Sequence, residues 1–257
     1  MSLDLTPSPG AAPLPRMVVA QATMETRLLL RNGEQIVLAL VIPLLVLIAG
    51  SESGDVLDLG SGSRIDILAP GVLALAILST SFTSLAIATG FERRYEVIKL
   101  LGSTPLPRSG LLAGKTIAVL VVEVVQLVVL NLAALALGWS PSAGVQAIAW
   151  IVPIVVLGTA AFGALGLLVA GVLRAEATLA AANLIYVLLL VGGAVVIPLD
   201  RYPDSAQPFI QLLPSSALTE AIRSATDGAA PGATPVLVLA VWAVVAGLAV
   251  GRTFRWE

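Results

Sequence analysis

Six apolar runs separated by short polar connections constrain this chain more than any other feature. They lie at about 36–50, 67–90, 111–137, 145–173, 179–197 and 235–251. A helix rising about 1.5 Å per residue needs roughly 20 apolar residues to cross about 30 Å of hydrocarbon. Most of the runs approach or exceed that length; the first does so only if its helix begins before Ile36. Hydrophobic residues make up 58% of the 257, against roughly 45–50% in soluble domains, and two or three helices could not absorb the excess. The prediction is an all-α integral membrane protein with six transmembrane helices. Pro43 in the first run and Pro153 in the fourth are placed to kink their helices.

Charge distribution orients the bundle. With both termini on one side, that side holds Arg16, Arg27, Arg31, Arg93, Arg94, Lys99, Arg108, Lys115, Arg174, Arg252 and Arg255. The opposite side keeps only Arg64, Arg201 and Arg223, beside an acidic loop 51–66 with Glu52, Asp55, Asp58 and Asp66. Eleven of the 14 cations on one side is a positive-inside bias that puts both ends in the cytoplasm. The chain has no cysteine and no histidine. Disulfides, thiolate metal sites and cysteine nucleophiles are excluded, along with the commonest general base and metal ligand.

The ends differ in kind from the runs. Residues 1–15 are rich in Pro, Ser and Gly and are expected to be a disordered tail; they lack the basic start and apolar centre of a signal peptide. Residues 16–257 are then a single transmembrane domain. From Met17 to Gln35, leucines 28–30 mix with Glu25, Arg27, Arg31 and Glu34. That mixture suits either an amphipathic helix lying along the membrane surface, apolar side down, or a lead-in to the first span.

The connection 91–109 packs Arg93, Arg94, Lys99 and Arg108 into a short stretch of a chain only 12% charged. A helix over Glu92–Leu101 places Tyr95, Ile98 and Leu101 toward one side, with Arg93, Arg94, Glu96 and Lys99 around the remainder. An apolar anchor ringed by charge is suited to docking a soluble partner, the anchor giving affinity and the charges orientation. The other reading is a solvated loop with no partner. Gly102 can end the helix, and Pro105 and Pro107 stiffen the return.

The connection 198–234 on the opposite side is different again. It holds two short amphipathic pieces, about 205–213 and 215–226, parted at Pro214. Ser215 or Ser216 is placed to cap the second, with Glu220 in its first turns. Neither piece can span, so each lies at the interface or dips back in, where only protein or a water-filled cavity shelters such backbone. An exit gate and an ordered surface loop are both open.

Inside the spans, Glu123 is the single acidic residue placed at depth, in the third. Gln126 and Asn131 fall with it inside about 140° of helical arc, and Asn183 stands in the fifth run. This polar stripe lines either a translocation path or a helix seam; equally, a protonated Glu123 could bond to a neighbouring helix and hold the bundle together. Gly158, Gly163, Gly166 and Gly171 in the fourth run, and Gly247 and Gly251 in the sixth, permit close helix packing, within the chain or at a dimer seam. Trp139, Trp150 and Trp242 suit interfacial or lipid-facing positions. Gly110-Leu-Leu-Ala-Gly114-Lys115-Thr116 falls one residue short of a phosphate-binding loop, opens a membrane helix and follows no strand. It is not expected to bind nucleotide.

The order of these parts resembles the ABC-2 type permease family, the membrane subunits of one class of ABC exporters, over essentially the whole chain. The stretches that carry the likeness are Phe91-Glu-Arg-Arg-Tyr-Glu-Val-Ile-Lys-Leu-Leu-Gly-Ser-Thr-Pro-Leu-Pro-Arg108 and Arg252-Thr-Phe-Arg-Trp-Glu257. The first is similar to the family's loop after the second span in drug and antibiotic exporters. In that family the loop forms a coupling helix that docks on a separate ATPase. The resemblance therefore implies Glu92, Arg93, Arg94, Tyr95, Ile98, Lys99 and Leu101 as coupling residues. It further implies two ATP-binding subunits that carry ATP and Mg, and a second permease, identical or related. It implies no cofactor in this chain, and lipid but no nucleic acid as surroundings. The site would be a bacterial inner or plasma membrane and the substrate amphipathic: a drug, an antibiotic or a lipid-like compound. Two other classes remain open. A secondary transporter would use Glu123 as proton carrier, though no internal repeat is evident. An intramembrane enzyme would need a catalytic set that Glu123 alone does not supply.

Overall fold

The computed structural model describes residues 10–52, 63–142, 144 and 146–253, and among these every regular element is helical. Helix α1 spans Leu14–Arg31, α2 Gly33–Glu52, α3 Arg64–Ile77, α4 Leu85–Arg94, α5 Val97–Gly102 and α6 Arg108–Ala136. After these come α7 Gln146–Val172, α8 Ala175–Gly192, α9 Gln207–Ile210, α10 Pro214–Thr226 and α11 Ala233–Thr253. Helix α1 starts two residues inside the stretch expected to be a tail, with Pro15 in its first turn, where a missing N–H costs nothing. The rest of that tail to Pro9, Asp55 and Asp58 of the acidic loop, and the closing residues 254–257 lie outside the described residues.

Among the described residues five helices are long and apolar enough to cross a membrane: Arg64–Arg94, Arg108–Ala136, Ala147–Val172, Ala175–Gly192 and Ala233–Thr253. They correspond to the second through sixth predicted runs. The first run is also helical, within α2, but its described apolar stretch, Ala39–Glu52, is shorter than the other five. Pro43, Pro70 and Pro153 all sit inside helices that continue through them. The fifth span begins and ends earlier than predicted. Arg174, in extended conformation, starts it at Ala175, and the apolar residues after Gly192 leave the helix, with Ala194 at φ 53°.

The first of the five is composite. Between α3 and α4 the backbone passes through a π-helical segment, Leu78–Ser84, without leaving the helix axis. Its sequence, Leu-Ser-Thr-Ser-Phe-Thr-Ser, is dense in hydroxyls that compete for backbone carbonyls. Ser81 Oγ donates to the Ile77 carbonyl at 2.5 Å. The wide turn brings Thr80, Ser81 and Phe82 into the interior, all nearly inaccessible.

Helix α7 is the central post, packed against α11, the π segment, α4 and α10. The largest core cluster gathers Leu73, Ile77, Phe82, Phe162 and Leu218 around it. Close approach here depends on Gly166, where a Cβ would lie 2.7 Å from the Phe82 carbonyl oxygen of the π segment. Gly158 meets the Leu218 side chain in the same way, whereas Gly247 and Gly251 of α11 have nothing within 4 Å. Gly158 and Gly166 of α7 therefore serve packing inside the chain; Gly247 and Gly251 of α11 do not. Trp139 departs from its expected interfacial place, being 6% exposed within the core, while Trp150 remains exposed.

Helix α10 also departs from a surface setting. Nearly all of it is buried against α3, α7 and α11, and Trp242 Nε1 of α11 donates to the Leu212 carbonyl just ahead of it at 2.9 Å. Leu213 and Pro214 begin the helix in place of a serine cap, so Ser215 Oγ is buried without a partner and Glu220 lies beyond the first turn. The preceding piece is only the single turn α9.

Replacing Gly166 by valine would force α7 off the π segment. Overpacking of this kind costs about 1–3 kcal/mol, and a lowered melting temperature in detergent, with Gly247→Val unchanged, is the expected result.

Candidate functional site

The helix expected over Glu92–Leu101 is broken. Helix α4 ends at Arg94, Glu96 takes a left-handed conformation at φ 60° and ψ 14°, and α5 restarts at Val97. A left-handed residue costs a non-glycine roughly 1–2 kcal/mol, so surrounding contacts hold this corner. The main one is Ile98, fully buried among Leu85, Leu106, Leu111, Val119, Leu167 and Val250. Tyr95, Ile98 and Leu101 thus do not share one outward side. Tyr95 at 68% and Leu100 at 70% are the exposed apolar groups, with Val97 between them; Ile98 points inward and Leu101 packs against its cluster. Gly102 ends α5, as its position suggested.

The charges also divide. Lys99 pairs loosely with Glu96 at 3.7 Å and stays exposed. Arg94 pairs with Glu176 of α8 and stands over the Tyr95 ring, 5.9 Å from its centroid. Arg93 turns inward and donates to the Ala170 and Leu173 carbonyls, satisfying the end of α7, where a cation also complements the helix dipole. Glu92 is occupied elsewhere: its Oε2 accepts from Lys115 Nζ at 2.6 Å.

Lys115 joins three elements. Its Nζ lies 2.9 Å from Glu25 Oε1 of α1 and 2.6 Å from Glu92 Oε2 of α4, with the lysine side chain 1% exposed. Gln21 Nε2 donates to Glu25 Oε1 at 2.8 Å. The contact requires α1 to lie close on α6, and Gly114 allows it; a Cβ there would meet Gln21 Cγ at 2.7 Å. The near-miss of a phosphate loop at 110–116 is thus a packing and ion-pairing element. Sequence reasoning counted Lys115 only as a cytoplasmic charge. On α1 the side packed on α6 carries Gln21, Ala22 and the charged Glu25, while Val19, Met24 and Leu28 face outward.

Deeper along α6, Glu123 and Gln126 come together with groups from three other segments. Glu123 Oε2 accepts from Thr159 Oγ1 of α7. Gln126 Oε1 accepts from Thr80 Oγ1 at 2.8 Å, and its Nε2 donates to the Ala39 carbonyl of α2. Both are buried. Asn131 does not join them; its Nδ2 donates to Leu127 within its own helix, as Asn183 does to Leu179. Asn183 instead lines a separate cavity of about 150 Å³ with Ser79, Thr83, Ser84 and Tyr186. The hydroxyl partners went unmarked in the sequence, although five serines and threonines in seven residues of an apolar run were the available signal. Among the described residues no group of three acidic side chains is placed to hold a metal ion.

Breaking a buried ion pair by removing one partner costs about 3–5 kcal/mol. Lys115→Met should therefore lower the melting temperature sharply. Adding Glu25→Gln and Glu92→Gln to it should restore much of the loss, read by thermal unfolding in detergent.

The sequence model described as ABC-2 type transporter matches residues 16–226, from α1 through α10. No curated protein matches the chain.

Proposed function

The chain belongs to the ABC-2 type transporter family, and from that premise we propose that it is the permease subunit of an ATP-driven exporter. It would cross a bacterial inner or plasma membrane six times, α2 being the first crossing, with both termini cytoplasmic. Helix α1 would lie on the cytoplasmic leaflet, and α9–α10 would form a re-entrant hairpin toward the outer side. A second permease, identical or related, and two ATP-binding subunits that hold ATP and Mg would complete the assembly.

The observation that carries this proposal is the two-sided character of α5. Tyr95, Val97 and Leu100 stand exposed next to Arg94 and Lys99, which supports their service as the anchor and rim of a docking surface. The opposite side, Ile98, is sunk into a cluster shared by α4, α6, α7 and α11. A displacement imposed on α5 by a closing ATPase would be passed to those helices without slack, since packed interiors shift between discrete arrangements. The Asn183 cavity, where Ala39 and Ile42 join Ser79, Thr83 and Tyr186, has the mixed lining that would suit part of an amphipathic substrate such as a drug, an antibiotic or a lipid-like compound. Full burial of Glu123 and its hydrogen bond to Thr159 favour a helix-joining role over a proton carrier.

Co-purification with an ABC ATPase in mild detergent tests the proposal. Tyr95→Ala with Leu100→Ala should lower retained ATPase about tenfold or more, while melting of the permease alone is unchanged. Transport driven by a proton gradient in vesicles lacking any ATPase would overturn it.

A further inference from the structure

A cavity of about 390 Å³ opens between the end of α4, the end of α7 and the start of α8. We propose that it binds a phosphate-bearing anion, and that the headgroup of an anionic phospholipid is its occupant. Three guanidinium groups, those of Arg93, Arg94 and Arg174, line it together with a single carboxylate, Glu176. Arg93 contributes charge more than donors, because its contacts run to the α7 carbonyls. Arg94 is engaged with Glu176 and neutralises it. Arg174 is different: it is exposed, and its side chain makes no hydrogen bond or ion pair among the described residues.

The backbone adds donors. Arg174 is the residue ahead of α8, an 18-residue helix with no side-chain cap. The amides of Ala175, Glu176 and Ala177 therefore have no acceptor within the helix and present its positive end to the cavity. Gly90, on the cavity wall, packs against Thr178, whose side chain lies 3.2 Å from where a Gly90 Cβ would stand. The volume holds roughly ten waters, enough for a phosphate with its glycerol.

Two features favour a lipid over a free ion. Val172, on the cavity edge, is 65% exposed and offers an apolar wall to an acyl chain. The cavity also lies at the ends of three candidate spans, at the depth where headgroups sit. The side is the one richest in cations, which the orientation proposed above makes the inner leaflet, where anionic lipid attracts basic residues. The inference rests on that orientation alone and needs no ATPase, so it fails separately from the export proposal.

The test uses the whole chain in a non-ionic detergent, incubated with short-chain phosphatidylglycerol or phosphatidylcholine, with bound lipid counted by native mass spectrometry. Phosphatidylglycerol should be retained in preference to phosphatidylcholine. Arg174→Gln should weaken that retention roughly fivefold, and Arg174→Glu should weaken it further. Arg252→Gln, at the far end of α11, should leave it unchanged. Because Arg174 is exposed, melting in phosphatidylcholine should be the same for all four proteins. Displacement of the lipid by inorganic phosphate would support the anion site and overturn the lipid assignment. Equal retention of both lipids, or wild-type retention by Arg174→Glu, would overturn the site itself. Arg174→Glu that keeps its lipid but loses a co-purifying ATPase would also overturn it, assigning the pocket to that protein.

Discussion

Lys115 sits about two turns into α6, with its ammonium group sealed from solvent, held by Glu25 from one side and Glu92 from the other. A charge in that position is tolerated only where partners replace its water. The two partners come from different elements, α1 and α4, each also packed on the bundle. Helix α1 grips the bundle through Gln21, Ala22 and Glu25, and α4 delivers Glu92 just before the chain turns at Glu96. One cation thus ties α1 to the segment that leads into α5. Together with Arg93 on the end of α7 and Arg94 on α8, it makes the start of the 91–109 connection rigid and leaves only α5 facing outward.

The middle of the bundle relies on a second polar set of different character. Glu123, Thr159, Gln126 and Thr80 join α6 to α7, to the π segment and, through the Ala39 carbonyl, to α2. In hydrocarbon such bonds are worth about 1 kcal/mol each or less, so they specify which helix faces which more than they stabilise. The π segment is part of the same arrangement. Its wide turn accommodates Phe82 against Gly166, and its Thr80 hydroxyl donates to Gln126 Oε1.

How much of this was legible follows from how far apart the interacting residues lie. Helix α6, expected over about 111–137, spans Arg108–Ala136, with Pro107 just ahead of it and Gly138, at φ 94°, just past its end. Those signals are local. The break at Glu96 left no such mark, since the residue there is neither Gly nor Asn, and buried Ile98 looked like any apolar position on an amphipathic helix. The partners of Lys115 stand 90 and 23 residues earlier, and nothing short of the fold brings them together. Trp139 was misplaced for a related reason: aromatic residues near span ends favour the interface on average, but here the core closes over one. The fifth span was shifted because its apolar run continues past Gly192, where the backbone already turns away.

The arrangement of the two buried acids and the buried base has a consequence for synthesis. Glu25 and Glu92 both precede Lys115 in the chain, so both counter-charges have left the ribosome before the lysine enters the bilayer. The ammonium need never wait in lipid unaccompanied. Glu123 is in the opposite position, because its hydroxyl partner Thr159 arrives 36 residues later, on the next long helix. A nascent chain halted between the two would hold all three members of the ion cluster and a carboxyl group still without its hydroxyl partner. The interval between positions 123 and 159 is therefore when the growing protein most needs shelter from the insertion machinery.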